Sequence, residues 1–96
     1  MEKMHLERLI GGTPMVQISD KILAKLETYN PSGSIKDRMA HFILSWAKQR
    51  GKLKPGDTIV EATSGNTGIA MSMIGAAMGH DVIIIMPRNM SNERKC

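Results

Sequence analysis

The longest helical pattern in this sequence lies between residues 34 and 50. Ile35, Met39, Phe42, Ile43 and Trp46 recur at three- and four-residue intervals and predict one apolar stripe. Ala40, Ile43 and Ala47 fall in line with Lys36, which puts Lys36 at the margin of the buried face. Arg38, His41, Ser45, Lys48 and Gln49 fill more polar positions. Asn30-Pro31 and Ser32-Gly33 are turn signals ahead of this run. Ser34, with Asp37 three residues on, reads as a capping box, and Gly51 reads as the stop.

A second pattern runs from residue 58 to residue 86. Residues 58–62 open with β-branched side chains and predict a strand. Residues 69–78 are apolar almost all round, as in a helix buried on more than one side, and Gly79 ends them. Residues 82–86 are a continuous apolar run, the mark of a central strand in a parallel sheet, closed by Pro87. Strand, helix and strand in this order predict an α/β fold with parallel βαβ units. Ahead of them, residues 1–10 suggest a short helical turn, 15–18 a strand and 22–27 a half-buried strand. Ser91 looks like the N-cap of a further helix.

Composition narrows the classes. Ninety-six residues allow one small domain, 1–96. The net charge of +4 is dispersed, and there is one each of Trp, Tyr and Phe, so nucleic-acid binding has little support. No apolar run is long enough to span a bilayer, and the first residues lack a signal-peptide core, so no membrane role is expected and the cytoplasm is the default. The one cysteine, Cys96, forms no internal disulfide. His5, His41 and His80 lack partners at metal-ligand spacing; His41 reads as a helix-surface residue and His80 as a turn residue. Several of the nine Met fall at helical core spacing, where they fill gaps.

Two stretches carry candidate chemistry. Lys36 falls in the first turn of its helix, where the positive end of the dipole disfavours a cation. That field favours a neutral amine, the form a Schiff-base lysine needs, although a solvated surface lysine is the plainer explanation of these residues alone. Asp37 and Arg38 read as cap and surface charges. The second stretch is Thr63-Ser64-Gly65-Asn66-Thr67-Gly68, between a strand and a helix. Free helix N–H groups, glycines, three hydroxyls and an amide there suit an anion, either a phosphate or a carboxylate. A polar loop whose Thr and Asn merely cap the helix is the alternative. The pattern is neither the dinucleotide nor the P-loop fingerprint, which ranks a nucleotide binder low.

These segments resemble the β-family of pyridoxal-phosphate enzymes, with the tryptophan-synthase-like fold (fold type II). The resemblance rests on Ile10-Gly11-Gly12-Thr13-Pro14, residues 30–38, residues 61–68, and Met86-Pro87 with Asn89-Met90-Ser91 and Glu93-Arg94. Within the family it is strongest to cysteine synthases of the B type of O-acetylserine sulfhydrylase, and cystathionine β-synthases are close. Gly12 stands where the family has Asn, and Ser32 where Gly is common.

The resemblance implies that Lys36 bonds pyridoxal 5'-phosphate and shuttles the substrate α-proton, and that Asn66 hydrogen-bonds the cofactor's ring oxygen. Thr63, Ser64, Asn66 and Thr67 would grip the carboxylate of a small amino-acid substrate such as O-acetylserine. Acetate would leave and sulfide would add, giving cysteine. Asp37 and Arg38 would help fix the lysine's turn, and residues 15–18 and 22–27 would belong mainly to a second domain. The resemblance covers the N-terminal part of the family's length. The family's phosphate-binding loop and pyridine-nitrogen serine come later and have no counterpart here, so these 96 residues alone are expected to turn over little or nothing. Open strand edges point to a homo-oligomer. The competing reading is a non-catalytic truncated module that self-associates or binds a partner or a small carboxylate.

Overall fold

The computed structural model describes residues 5–63 and 65–87. Within them, two small sheets and two helices follow a short 3-10 turn at Leu6–Leu9. The first sheet is a hairpin of β1 (Met15–Ser19) and β2 (Ile22–Lys25). Its strands pair antiparallel from Met15 opposite Lys25, with an irregularity between Gln17 and Ser19. Every residue of β1 is exposed, and in β2 only Ala24 is half-buried. The alternation over 22–27 therefore faces no core among the described residues, contrary to the half-buried strand expected. The strand is also shorter than expected: Glu27–Tyr29 form a second 3-10 turn.

Helix α1 (Lys36–Gln49) stops as the sequence predicts. Gly51 has φ +72°, its N–H bonds to Lys48 O at 3.1 Å, and the Lys52 N–H bonds to Ala47 O at 2.9 Å. This pair of bonds is a Schellman motif, in which a left-handed residue lets the chain fold back onto the last carbonyls. The start differs from the predicted capping box. Ser34 Oγ accepts the Lys36 N–H at 3.2 Å, but the Asp37 carboxylate turns back past Ser34 to accept the Ser32 N–H at 2.8 Å and the Ser32 hydroxyl.

The buried face of α1 is also not the predicted stripe. Asp37, Ala40 and Leu44 are buried, while Phe42 is 70% exposed, and Ile35, Ile43 and Trp46 are exposed as well. Two cations lie over the Trp46 ring, with Arg50 Cζ and Lys52 Nζ at 5.3 and 5.0 Å from its centre. The physical reason lies in the partner. α1 packs on α2 (Asn66–Ala77), where Ala40 and Leu44 join the buried Ala70, Met71 and Ile74, and that contact fixes which side of α1 is covered.

β3 (Ile59–Ala62), α2 and β4 (Val82–Ile85) form the predicted βαβ unit, with the strands parallel and Ile59 opposite Val82. α2 covers one face of this pair. On the other face Val60, Ile83 and Ile85 are more than half exposed, so β4 is not a central strand among the described residues. Ile69 is also 48% exposed, so α2 is buried on more than one side but not all round. The core joins Ala40 and Leu44 to Ala70, Met71, Ile74 and Ile59.

His80, expected in a turn, is buried, and its Nδ1 meets Asp57 O at 2.7 Å, tying the start of β4 to the loop before β3. The further helix expected from Ser91 lies outside the described residues.

Candidate functional site

The predicted residues fall at the starts of the two helices. Lys36 is the first residue of α1 and is half-buried. Its neighbours are anchored on both sides. Asp37, read as a cap, is fully buried and accepts a backbone N–H, that of Ser32. Arg38 is bound to Glu27, the one ion pair among the described residues, with Nε to Oε1 at 2.5 Å and Nη2 to Oε2 at 3.2 Å. The lysine is thus held through its backbone and its neighbours, its N–H bonding Ser34 Oγ at 3.2 Å.

The second group sits where β3 passes into α2. Thr63 continues the strand pairing through its N–H to Ile85 O at 3.1 Å and is half-buried. Gly65 then takes φ 68°, ψ −136°, a conformation closed to other residues, and turns the chain into the helix. Asn66 and Thr67 are its first two residues, exposed and half-buried. Ile69, bonding Gly65 O at 3.2 Å, supplies an intrahelical bond across this turn, so the Asn66 and Thr67 N–H groups precede the regular ladder.

No side-chain bond from the N-cap residue closes the start of α2, and that residue is a glycine. The loop glycines divide their tasks. A Cβ at Gly65 would meet nothing within 4 Å, whereas one at Gly68 would lie 3.3 Å from Ile84 and Thr63 methyls. Gly68 therefore serves contact with the sheet, and Gly65 shapes the turn. Ser64, the remaining predicted carboxylate ligand, lies outside the described residues.

Beside this loop, Ala62, Thr63, Ile85, Met86 and Pro87 line a hollow of about 440 Å³. It opens beyond the carboxyl ends of β3 and β4, the place where parallel α/β sheets receive ligands.

A polar cluster that no sequence motif marks joins Thr13, Glu27 and Asn30 to Arg38 on the first turn of α1. The Thr13 hydroxyl donates to Glu27 Oε2 at 2.5 Å and accepts from Arg38 Nη2 at 3.2 Å. Asn30 Nδ2 donates to Glu27 O and Oε1, and its Oδ1 accepts the Gly11 N–H at 2.8 Å. Thr13 and Asn30 are buried. Hydrogen bonds from Arg38 first, then from Thr13, hold the Glu27 carboxyl down at about 2. In the sequence Asn30-Pro31 reads as a turn signal, and no local pattern marks Thr13 and Asn30 as buried residues that need partners.

The sequence profile described as pyridoxal-phosphate dependent enzyme matches residues 6–95. The chain belongs to this family. Pyridoxal phosphate is the cofactor of these pyridoxal-phosphate enzymes, and the α/β fold with a parallel strand pair is theirs.

The chain is 48% identical to cysteine synthase B of Salmonella typhimurium over 97 residues, which cover 94% of this chain and 32% of that protein. It is 50% identical to cysteine synthase B of Pseudomonas syringae over 93 residues, covering 90% of this chain and 55% of the relative. The solved O-acetyl serine sulfhydrylase isoform 3 from Entamoeba histolytica superposes with a TM-score of 0.87 at 43% identity, covering 99% of this chain and 32% of that one. The chain thus spans about a third to a half of the length of the curated relatives it matches.

The residues present fit part of what pyridoxal phosphate requires. An amine at a helix start can bond its aldehyde, and the loop beyond β3 brings amide and hydroxyl donors to a second helix start. Gly12, where the family has Asn, sits at φ 56° with open space around it, a left-handed position that both residues accept. No helix among the described residues is long and apolar enough to cross a membrane.

Proposed function

We propose that residues 1–96 act as the N-terminal part of a cysteine synthase, carrying its reactive lysine and its substrate-carboxylate loop. The reaction is a β-replacement: acetate leaves the β-carbon of O-acetylserine, sulfide adds there, and cysteine forms. Lys36 would hold the cofactor through Nζ at rest; displaced by the substrate amine and so free, Nζ would take the proton from the substrate Cα and return it after the nucleophile has added. Asn66 contacts the cofactor ring through its amide. Thr63, Ser64, Asn66 and Thr67 bind the substrate carboxylate with hydroxyl, amide and helix N–H donors. When bound, pyridoxal phosphate supplies the electron sink that stabilises charge at the substrate Cα.

One observation carries the proposal: a half-buried lysine opens α1, and a donor-rich loop opens α2 at the carboxyl end of β3. The names of the relatives support the choice of substrate and nucleophile.

The test is to incubate the chain with pyridoxal phosphate, reduce with borohydride and map the label by peptide mass spectrometry. Label at Lys36, reduced by O-acetylserine and absent from Lys36→Ala, is the expected result. Label spread over Lys25, Lys48, Lys52 and Lys54 and indifferent to Lys36→Ala would overturn the proposal.

A second reading, a self-associating module without activity, is favoured by the exposed apolar side of β3 and β4. It is distinguished by sedimentation together with the absence of any Lys36-specific label.

A further inference from the structure

Two cations, Lys36 and Arg38, occupy the first turn of α1, where the helix dipole opposes both. They leave the helix roughly 200° apart, since each residue advances the helix by about 100°. An anchor on Arg38 therefore fixes the rotation of the first turn without touching the Lys36 amine.

That anchor is Glu27. Its carboxylate takes Arg38 in a two-point grip through Nε and Nη2, the geometry in which a guanidinium is held most firmly. Thr13 closes a triangle with the same two groups. Lys25 Nζ donates to Thr13 O at 2.8 Å, which adds the end of β2. Asn30 joins the Glu27 backbone and side chain to the Gly11 N–H. Gly11 leaves room for nothing more, because a Cβ there would stand 3.1 Å from Arg38 Nη1. Three stretches of chain, 11–13, 25–30 and the start of α1, thus meet on one carboxylate.

We propose that Glu27 is a positioning residue for Lys36: it gathers Arg38, Thr13 and Asn30 into a cluster that sets the first turn of α1. The inference rests on reading Lys36 as the reactive amine, as proposed above. Glu27 acts by neutralising Arg38 and by fixing the direction in which α1 begins. The amine on the other side of the turn is thereby presented at one angle.

The test uses the full chain, Glu27→Gln, Arg38→Gln and the double variant. Two labels are read at Lys36: pyridoxal phosphate fixed by borohydride, and acetylation by acetic anhydride. Each is expressed relative to Lys48 on the last turn of the same helix. Glu27→Gln should lower the relative pyridoxal label about threefold and raise relative acetylation by a similar factor, the size expected from one partly exposed ion pair. Arg38→Gln should do the same, and the double variant should be no worse than the larger single. Amide exchange should rise over residues 35–39 and stay unchanged over 44–48, which a general loss of stability would not produce.

Unchanged Lys36 ratios in Glu27→Gln, additive single effects, or a uniform rise in exchange would each overturn the proposal. If the unsubstituted chain takes no pyridoxal phosphate at Lys36, the proposed function falls, and the acetylation ratio still decides whether Glu27 positions the amine. Should Glu27→Gln not fold, Thr13→Val removes one link of the cluster and should shift both ratios the same way. Thr13→Ser, which keeps the hydroxyl, should restore them.

Discussion

Replacing Gly75 by Ala adds one methyl group at the tightest point between α2 and the strand pair. A Cβ built there would lie 2.6 Å from Val82 Cγ2 and 3.0 Å from Ile59 Cδ1. Carbon atoms in contact prefer about 3.5–4.0 Å, so the helix must lift by roughly 1 Å or Val82 must turn. Val82 is β-branched and stiff at χ1, which closes the cheaper route. Overpacking of this kind costs about 1–3 kcal/mol. Against it, Ala is better than Gly in a helix interior by about 1 kcal/mol. The steric term is expected to win, since the closest approach is to the stiff Val82 side chain at 2.6 Å, leaving a net loss of up to about 2 kcal/mol.

Urea unfolding followed by far-UV circular dichroism reads this as a lower midpoint with an unchanged slope. Gly68→Ala is the internal comparison. Its Cβ would meet two methyls at 3.3 Å, a few tenths of an ångström too close, so the two terms should nearly cancel. Val82→Ala in the Gly75→Ala background should recover most of the steric part, because it removes the methyl in the way. A Gly75→Ala chain as stable as the parent, or more so, would mean that helix propensity governs this position, and the account of close packing between α2 and the sheet would fail.

Three further outcomes are expected. Because the Glu27 carboxyl is held at about 2 against an ordinary 4.5, the unfolded chain binds that proton more readily; the contribution is complete above about 4.5 and is lost as pH falls toward 2. Glu27→Gln should therefore flatten the fall in stability across that window in an acid titration of unfolding, and an unchanged slope would contradict it. Asp37→Asn should destabilise by about 1–3 kcal/mol in urea unfolding, since a donor would replace an acceptor that faces the Ser32 N–H and hydroxyl in a buried position. Gly12→Asn should leave stability within about 0.5 kcal/mol of the parent, while Gly12→Val, branched at a left-handed position, should lower it measurably by the same assay.

Much of the framework was legible in the residues themselves. The end of α1 at Gly51, the end of α2 at Gly79 and the parallel pairing of β3 with β4 follow from local rules: a glycine free to take positive φ, and an apolar run too short to be a helix. The positions of Lys36 and of the Thr63–Gly68 loop at helix starts were likewise local, because turn residues and helix periodicity mark such a boundary within a few positions. The motif residues also carried the resemblance that the family match bears out.

What the sequence determined by itself was therefore where elements begin and end, and which family the chain belongs to. Only the tertiary structure decided which side of α1 is covered and what holds its first turn. The strongest apolar stripe, with Phe42 and Trp46, lies outside, and the weaker one through Ala40 and Leu44 lies inside. Periodicity reports that a helix has faces; the neighbour selects among them, and α2 meets α1 where Ala40 and Leu44 join Ala70, Met71 and Ile74. The cluster on Glu27 links residues 11 to 25 positions apart, so no local window contains both partners of those bonds. Asp37 shows the same principle at short range: a carboxylate that reads as a cap for Ser34 is fully buried and turns back instead to the Ser32 N–H and hydroxyl.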